Sequence, residues 1–195
     1  MTGGYLKGRI RREDIITAAA AAYGELGYHG SSLREIAKRV GITHAGLLYY
    51  FPTKEALLAA VLERRDAEDA EREQLLGPPG LDVLRHFVAL ASHNVQHPGI
   101  VDLYSRLAAE AVAADHPAHA YFERHYRAAR AGVVDSFRAL AASGELRADV
   151  DPDFAALTFI ALMDGLQVQW LTTPGDVDLV GALRFQLGAF LTVPL

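Results

Sequence analysis

Residues 31–58 read SSLREIAKRVGITHAGLLYYFPTKEALL, and the punctuation of this stretch decides the fold. Ser32 and Glu35 have the spacing of a capping box, in which the serine hydroxyl accepts the amide at the glutamate position and the glutamate reaches back. A short helix starts there, with Leu33, Ile36, Ala37 and Val40 recurring on one face, and Gly41 supplies the turn that ends it. Thr43 caps a second helix that can run only from His44 to about Tyr50, because Pro52 disfavours helical geometry at Phe51 and removes a donor. Thr53 caps a third, with Leu57, Leu58, Val61 and Leu62 on its buried side, which continues through the charged run Glu63 to Glu73. The Gly77-Pro78-Pro79-Gly80 cluster breaks it.

Upstream, Ile15, Ala19, Ala22 and Leu26 share one face of a supporting helix that ends at Gly27. Two short helices joined by Gly41-Ile42-Thr43 on such a support have the dimensions of a DNA-reading helix-turn-helix. Ala45 and Gly46 would let the second helix sit deep in a major groove, anchored by Leu47 and Phe51.

The segment Ser31 to Leu58, with Gly27-Tyr28 before it, a Ser-Leu-Arg-Glu-Ile-Ala helix and a Tyr-Phe-x-x-Lys ending, closely resembles the N-terminal domain of the TetR/AcrR transcriptional repressors. The resemblance runs from about Arg12 to Leu58. It implies that Thr43, Tyr50 and Lys54 contact phosphates, that His44, Ala45, Gly46 and Tyr49 face base edges, and that the arm Arg9 to Arg12 and the cap residue Ser32 add backbone contacts. The family often has a lysine or arginine at the start of the reading helix; here the sequence is His44, Ala45 and Gly46. With few bidentate donors in that helix, specificity rests partly on DNA shape, on Tyr49 and on the arm. Plainer roles stand beside these: Tyr49 and Tyr50 as packing residues, Lys54 as a solvated first-turn lysine, His44 as an ordinary surface histidine.

Beyond Gly80 four or five longer helices are expected, on Leu84, Phe87, Val88, Ala91 and Val95; on Ile100, Leu103 and Leu107; on Phe122, Tyr126, Ala129, Val133, Phe137 and Leu140; and roughly over Pro152–Leu171 and Val177–Leu191. Breaks fall at His97-Pro98-Gly99, His116-Pro117, Ser143-Gly144, Asp151-Pro152 and Thr173-Pro174-Gly175. No strand is expected. The class is therefore all-α: a three-helix DNA-binding domain over 1–54, a connecting helix over about 54–73, and a helical bundle over 55–195 for effector binding and dimerisation. Met163 to Leu171 is similar to the penultimate helix of many family members.

The formal charge of −5 over 195 residues argues, as an average, against a nucleic-acid binder. Divided after Lys54 it reads otherwise, with eight basic residues against four acids in the first part, a net of +4, and −9 in the remainder. There is no cysteine, which excludes disulfides, thiolate metal sites and a cysteine nucleophile. No Ser/His/Asp order, phosphate loop or paired-carboxylate constellation points to an enzyme. The longest apolar span, Phe154 to Met163, is followed at once by Asp164 and falls short of the roughly 20 residues that cross a bilayer. A cytoplasmic protein is the expectation, without membrane or cofactor.

Sensor bundles of this kind hold an apolar ligand among the middle helices. Candidate lining residues are Phe87, Leu90, Tyr104, Leu107, Tyr121, Phe122, Tyr126, Phe137, Met163, Asp164 and Gln167. For Asp164 and Gln167, on an otherwise apolar helix, a ligand contact and an interhelical or intersubunit hydrogen bond are the two solutions. Gly181, Ala182, Gly188 and Ala189 permit close approach of the last helix to a partner, so the last two helices form half of a four-helix dimer interface. His93 and His97 are read as solvated caps at a helix end, and no carboxylate or thiol spacing completes a metal site with them or with His116, His119 and His125. The expected function is a homodimeric regulator, a repressor released from a near-palindromic double-stranded operator by a small apolar effector. The alternative keeps the DNA module and gives the bundle a protein partner; an internal apolar cavity separates the first reading from the second.

Overall fold

The computed structural model describes residues 2–74 and 78–195; Gly77 of the expected break and the side chains of Arg9 and Ile100 lie outside the described residues. Helix α1 (Thr2–Gly30) contains the expected interruption at Gly27, where φ 72° and ψ 167° are reached without strain only by glycine. Helical geometry then resumes to Gly30, three residues past the expected end. Ile15, Ile16, Ala19, Ala22 and Tyr23 are buried, whereas Leu26, expected on the same face, is 43% exposed at the turn before the kink.

Helix α2 (Leu33–Val40) begins where Ser32 Oγ accepts the Glu35 amide at 3.2 Å and ends on left-handed Gly41, whose amide bonds back to Lys38. Half of the capping box is formed. The Glu35 carboxylate is held instead by Arg39 at 3.0 Å, and Arg39 also pairs with Glu25 at 2.9 Å, drawing Glu35 away from the cap. Helix α3 (His44–Tyr50) follows a Thr43 cap, and α4 (Lys54–Gln74) starts where Thr53 Oγ1 accepts the Ala56 amide at 3.0 Å. Five further helices complete the described residues: α5 (Leu81–Val95), α6 (Pro98–Glu110), α7 (His119–Ser143), α8 (Pro152–Thr172) and α9 (Leu179–Phe190).

Two compact units emerge, one comprising residues 1–68 with 102–122, the other 69–101 with 123–195. The first is built on Ile15, Tyr23, Ile36, Leu47, Phe51, Leu57 and Leu58, all nearly inaccessible. In the second, Leu84, Phe87 and Val88 of α5, Val133, Phe137 and Leu140 of α7, Phe159 of α8 and Leu183 and Leu187 of α9 form one core. Phe87 meets Phe159 edge-on at 5.9 Å and Phe137 meets Phe190 at 6.1 Å.

Helix α8 starts at a strong cap, Asp151 accepting the amides of Asp153 and Phe154 at 2.9 Å each with Pro152 in the first turn. It runs through Asp164 without a break, so its length and apolar composition reach those of a membrane span, contrary to the ten-residue reading. One side is packed through Ala155, Ala156, Phe159, Ile160 and Leu166, while Phe154, Leu157 and Val168 are exposed. Helix α9 starts two residues later than expected, because Asp178 caps it by accepting the Gly181 amide at 2.8 Å. A Cβ on Gly181 would fall 2.1 Å from that carboxylate, so this glycine makes room for the cap. Leu146 and Leu191 form an isolated antiparallel bridge, supported by Arg147 N–H to Phe190 O at 2.9 Å and Thr192 N–H to Glu145 O at 2.8 Å.

Candidate nucleic-acid interface

Seven residues make up α3, and its geometry follows from two side chains. Thr43 Oγ1 accepts the Gly46 amide at 3.0 Å, and a Cβ on Gly46 would lie 3.2 Å from that oxygen, so the small residue protects the cap. Leu47 is fully buried and is the helix's one buried residue. With that anchor inward, Ala45 and Tyr49 are exposed and His44, Gly46 and Tyr50 are partly so; Tyr49 is 84% exposed, far more than a large aromatic with a packing role. Its ring stands edge-on to Tyr50 at 5.3 Å. The Phe51 amide closes the helix on Leu47 O at 2.9 Å, and the Phe51 ring is buried with the Arg12 guanidinium 5.0 Å above it. Arg11 Nη1 lies 3.5 Å from Val40 O. Ser32 is exposed beside its cap bond.

Lys54 is not a free lysine. Its ammonium sits 4.3 Å over the Tyr28 ring, and the Tyr28 hydroxyl donates to Glu55 at 3.1 Å. Burial pulls the Lys54 ammonium below the usual lysine value, and the carboxylates of Glu55 and Glu110 act against that. Burial and the same Glu55 push the Tyr28 hydroxyl up. Tyr28 is therefore a positioning residue for the start of α4, recognisable in sequence only as part of the Gly27-Tyr28 pair.

The expected effector residues fall in both units. In the first, Leu107, Tyr121 and Phe122 are buried and Tyr104 half-buried; the Tyr121 hydroxyl donates to Asp66 at 2.7 Å and contacts the Tyr104 hydroxyl, whose ring lies 4.4 Å from the Arg65 guanidinium. In the second, Phe87 and Phe137 are core residues, and Leu90, Tyr126, Met163, Asp164 and Gln167 are half-buried. An open groove of about 530 Å³ along α7 is lined by Tyr126, Ala131 and Val134 together with Glu123, Arg127, Arg130, Asp135 and Arg138.

The Tyr126 hydroxyl donates to Asp164 across α7 and α8. Burial raises the Asp164 carboxyl above the usual aspartate value, while this bond and the nearby His125 pull it partly back. A raised pKa in the folded chain means that ionised Asp164 costs stability above that pKa, and the cost is relieved as pH falls through it. Tyr126→Phe is expected to destabilise the chain by about 1–2 kcal/mol near neutral pH and by less in mild acid, since the carboxylate loses its donor. Asp164→Asn should gain on the parent chain as pH rises above the aspartate range. Urea unfolding of the three proteins across that pH range checks both; a pH-independent Tyr126→Phe effect would contradict the assignment.

Residues 15–61 match the family described as bacterial regulatory proteins, tetR family, and residues 82–191 match the C-terminal domain of BetI-type transcriptional repressors. The HTH-type transcriptional repressor AcnR of Corynebacterium diphtheriae is 28% identical over 172 residues, covering 87% of this chain and 85% of AcnR. The HTH-type transcriptional regulator RutR of Escherichia coli is 43% identical over 54 residues, 28% of this chain and 26% of RutR, so the chain matches about a quarter of that relative's length. A solved TetR-family transcriptional regulator from Agrobacterium tumefaciens superposes with a TM-score of 0.80 at 23% identity, covering 94% of this chain and 99% of that one, a likeness of fold.

Proposed function

The chain belongs to the TetR family of bacterial transcriptional regulators, and from that premise we propose that it is a homodimeric, ligand-responsive repressor, released from a near-palindromic double-stranded operator by a small, largely apolar effector. Residues 1–54 serve as the DNA module and 55–195 as the effector and dimer domain, joined by the helix over about 54–73, in the cytoplasm where the DNA lies. The observation that carries the reading is the outward face of α3, where Tyr49 is held in water on a helix anchored by Leu47 alone. Tyr49 and the short side chains of Ala45 and Gly46 meet base edges together with His44. Thr43, Tyr50 and Lys54 meet phosphates, with Ser32 and Arg12 adding backbone contacts.

Pairing has its own support. Phe154, Leu157 and Val168 of α8 and Phe185 of α9 are exposed apolar side chains on the two last helices, and Phe185 is 81% exposed. A twofold axis through them presents two reading helices to two half-sites, which raises affinity through the tethered second contact. The effector acts through different affinities for the DNA-competent and released states, a coupling of about 1–3 kcal/mol in such proteins.

The test begins with fragments selected from genomic DNA by the full-length protein. On the strongest of these, Tyr50→Ala and Lys54→Ala should each weaken binding across all sequences and flatten the log–log salt dependence by about 1 per reading head, whereas Tyr49→Ala should change the preferred sequence. Salt-series fluorescence anisotropy reads both. Unchanged affinity and slope in the Tyr50 and Lys54 variants would remove the phosphate assignment.

A further inference from the structure

Within the first unit, the last turn of α1, the C-terminus of α6 and the segment that follows it bring three metal-competent side chains to one point. His29 Nε2 lies 3.3 Å from Glu110 Oε2, His116 Nε2 lies 3.5 Å from the same oxygen, and one donor atom from each of the three residues falls within 4.8 Å of the others. We propose that His29, Glu110 and His116 form a three-ligand site for a divalent transition-metal ion of the zinc class, with one coordination position left open.

Two observations carry this. The first is spacing: donors bound to zinc at about 2.0–2.1 Å in a tetrahedral arrangement stand about 3.3–3.4 Å apart, close to the 3.3 and 3.5 Å of the two histidine–Glu110 pairs. Octahedral coordination at those bond lengths would place adjacent donors about 3 Å apart. The second is that two of these donor atoms are buried without a hydrogen bond. Glu110 Oε2 and His116 Nε2 are buried yet have no hydrogen-bond partner, because their mutual geometry does not make one. Buried polar atoms are nearly always satisfied, and here two histidine nitrogens converge on one carboxylate oxygen, an arrangement a shared metal ion would satisfy. Two imidazoles with one carboxylate suit zinc and its neighbours rather than magnesium or calcium.

The surroundings hold the donors in place. His116 packs edge-on against Tyr28 at 6.1 Å, and the segment bearing it is pinned by the Ala111 amide on Leu107 O at 2.8 Å and by His119 Nδ1 at 2.7 Å from Ala111 O. One local bond is exchanged when the ion enters. Coordination through Nε2 leaves Nδ1 of His116 protonated, so the Ala118 amide, which donates to Nδ1 at 3.2 Å, must turn to another acceptor. His29 precedes Glu110 by 81 positions and His116 by 87, and their tertiary approach is why histidine spacing alone gave no metal site.

The site adjoins Tyr28, whose ring carries Lys54, but its test does not use DNA. Full-length protein, stripped with a chelator, is titrated with Co²⁺ near neutral pH while the visible ligand-field bands are followed, and Zn²⁺ is then added in competition. The expected result is one Co²⁺ per chain with the intense bands of four-coordinate cobalt, displaced by Zn²⁺. His29→Gln and Glu110→Gln should each weaken the apparent affinity by about tenfold or more, and the double variant His93→Gln/His97→Gln should leave it unchanged. His29 is largely exposed, so its replacement keeps the fold, which far-UV circular dichroism verifies; it decides the matter even if Glu110→Gln fails to fold. Absence of stoichiometric binding, or binding that survives His29→Gln and is lost in the His93/His97 variant, overturns the proposal.

Discussion

Leu47→Ala is expected to lower the stability of the chain by roughly 2–5 kcal/mol and to abolish sequence-specific DNA binding. Helix α3 has seven residues and one fully buried side chain, so the transfer and cavity terms of a leucine truncation fall on a single contact. The remaining local support is the Thr43 cap, worth about 1 kcal/mol, and the Phe51 amide bond back to Leu47 O. Neither fixes the rotation of the helix about its own axis, and rotation is what aims Tyr49. Leu47→Met conserves volume and should cost less than about 1.5 kcal/mol with DNA binding retained. Urea unfolding and anisotropy on one operator fragment measure the two effects together, and full affinity in Leu47→Ala would show that α3 is positioned by something other than its anchor.

Phe137→Ala should be the most damaging single truncation in the second unit, at about 3–5 kcal/mol. The ring is inaccessible to solvent, meets Phe190 edge-on at 6.1 Å and belongs to the core shared by α5, α7, α8 and α9. The same measurement judges its candidacy as an effector contact. A side chain bordering an open chamber loses few neighbours on truncation, so a cost below about 1 kcal/mol would favour a lining role, and the larger figure a packed one.

What could be read from sequence was whatever is written within about one helical turn. Ser32, Gly41, Thr43 and Thr53 each act on an amide or carbonyl a few residues away, and all four mark the boundaries expected of them. Asp178 acts at the same range, yet its cap went unread because the apolar run from Val177 looked continuous. In α8 the helix over roughly Pro152–Leu171 and an interhelical bond for Asp164 were both readable, but the apolar span was cut short at Met163 and the partner, the Tyr126 hydroxyl on α7, was not named. That partner is 38 positions away by residue number, and no local pattern records it. Lys54 over Tyr28, Glu35 drawn to Arg39, and the meeting of His29 with Glu110 and His116 are of the same kind. Periodicity states which face of a helix is apolar. It does not state which polar group from elsewhere will be waiting there.

The bridge between Leu146 and Leu191 fastens residues 145–147 to 190–192, the two ends of the excursion that contains α8 and α9. In a chain without cysteine, these backbone bonds close that excursion at its base as a crosslink would, though reversibly. The consequence concerns how two copies can associate. Exchange of the α8–α9 pair between chains would first have to open this base, whereas docking of the exposed Phe154 and Phe185 faces leaves it shut. In the dimer proposed above, the closure thus favours association of intact subunits over exchange of the helix pair, and a cut in the turn between the two helices would leave both pieces fastened to the same body.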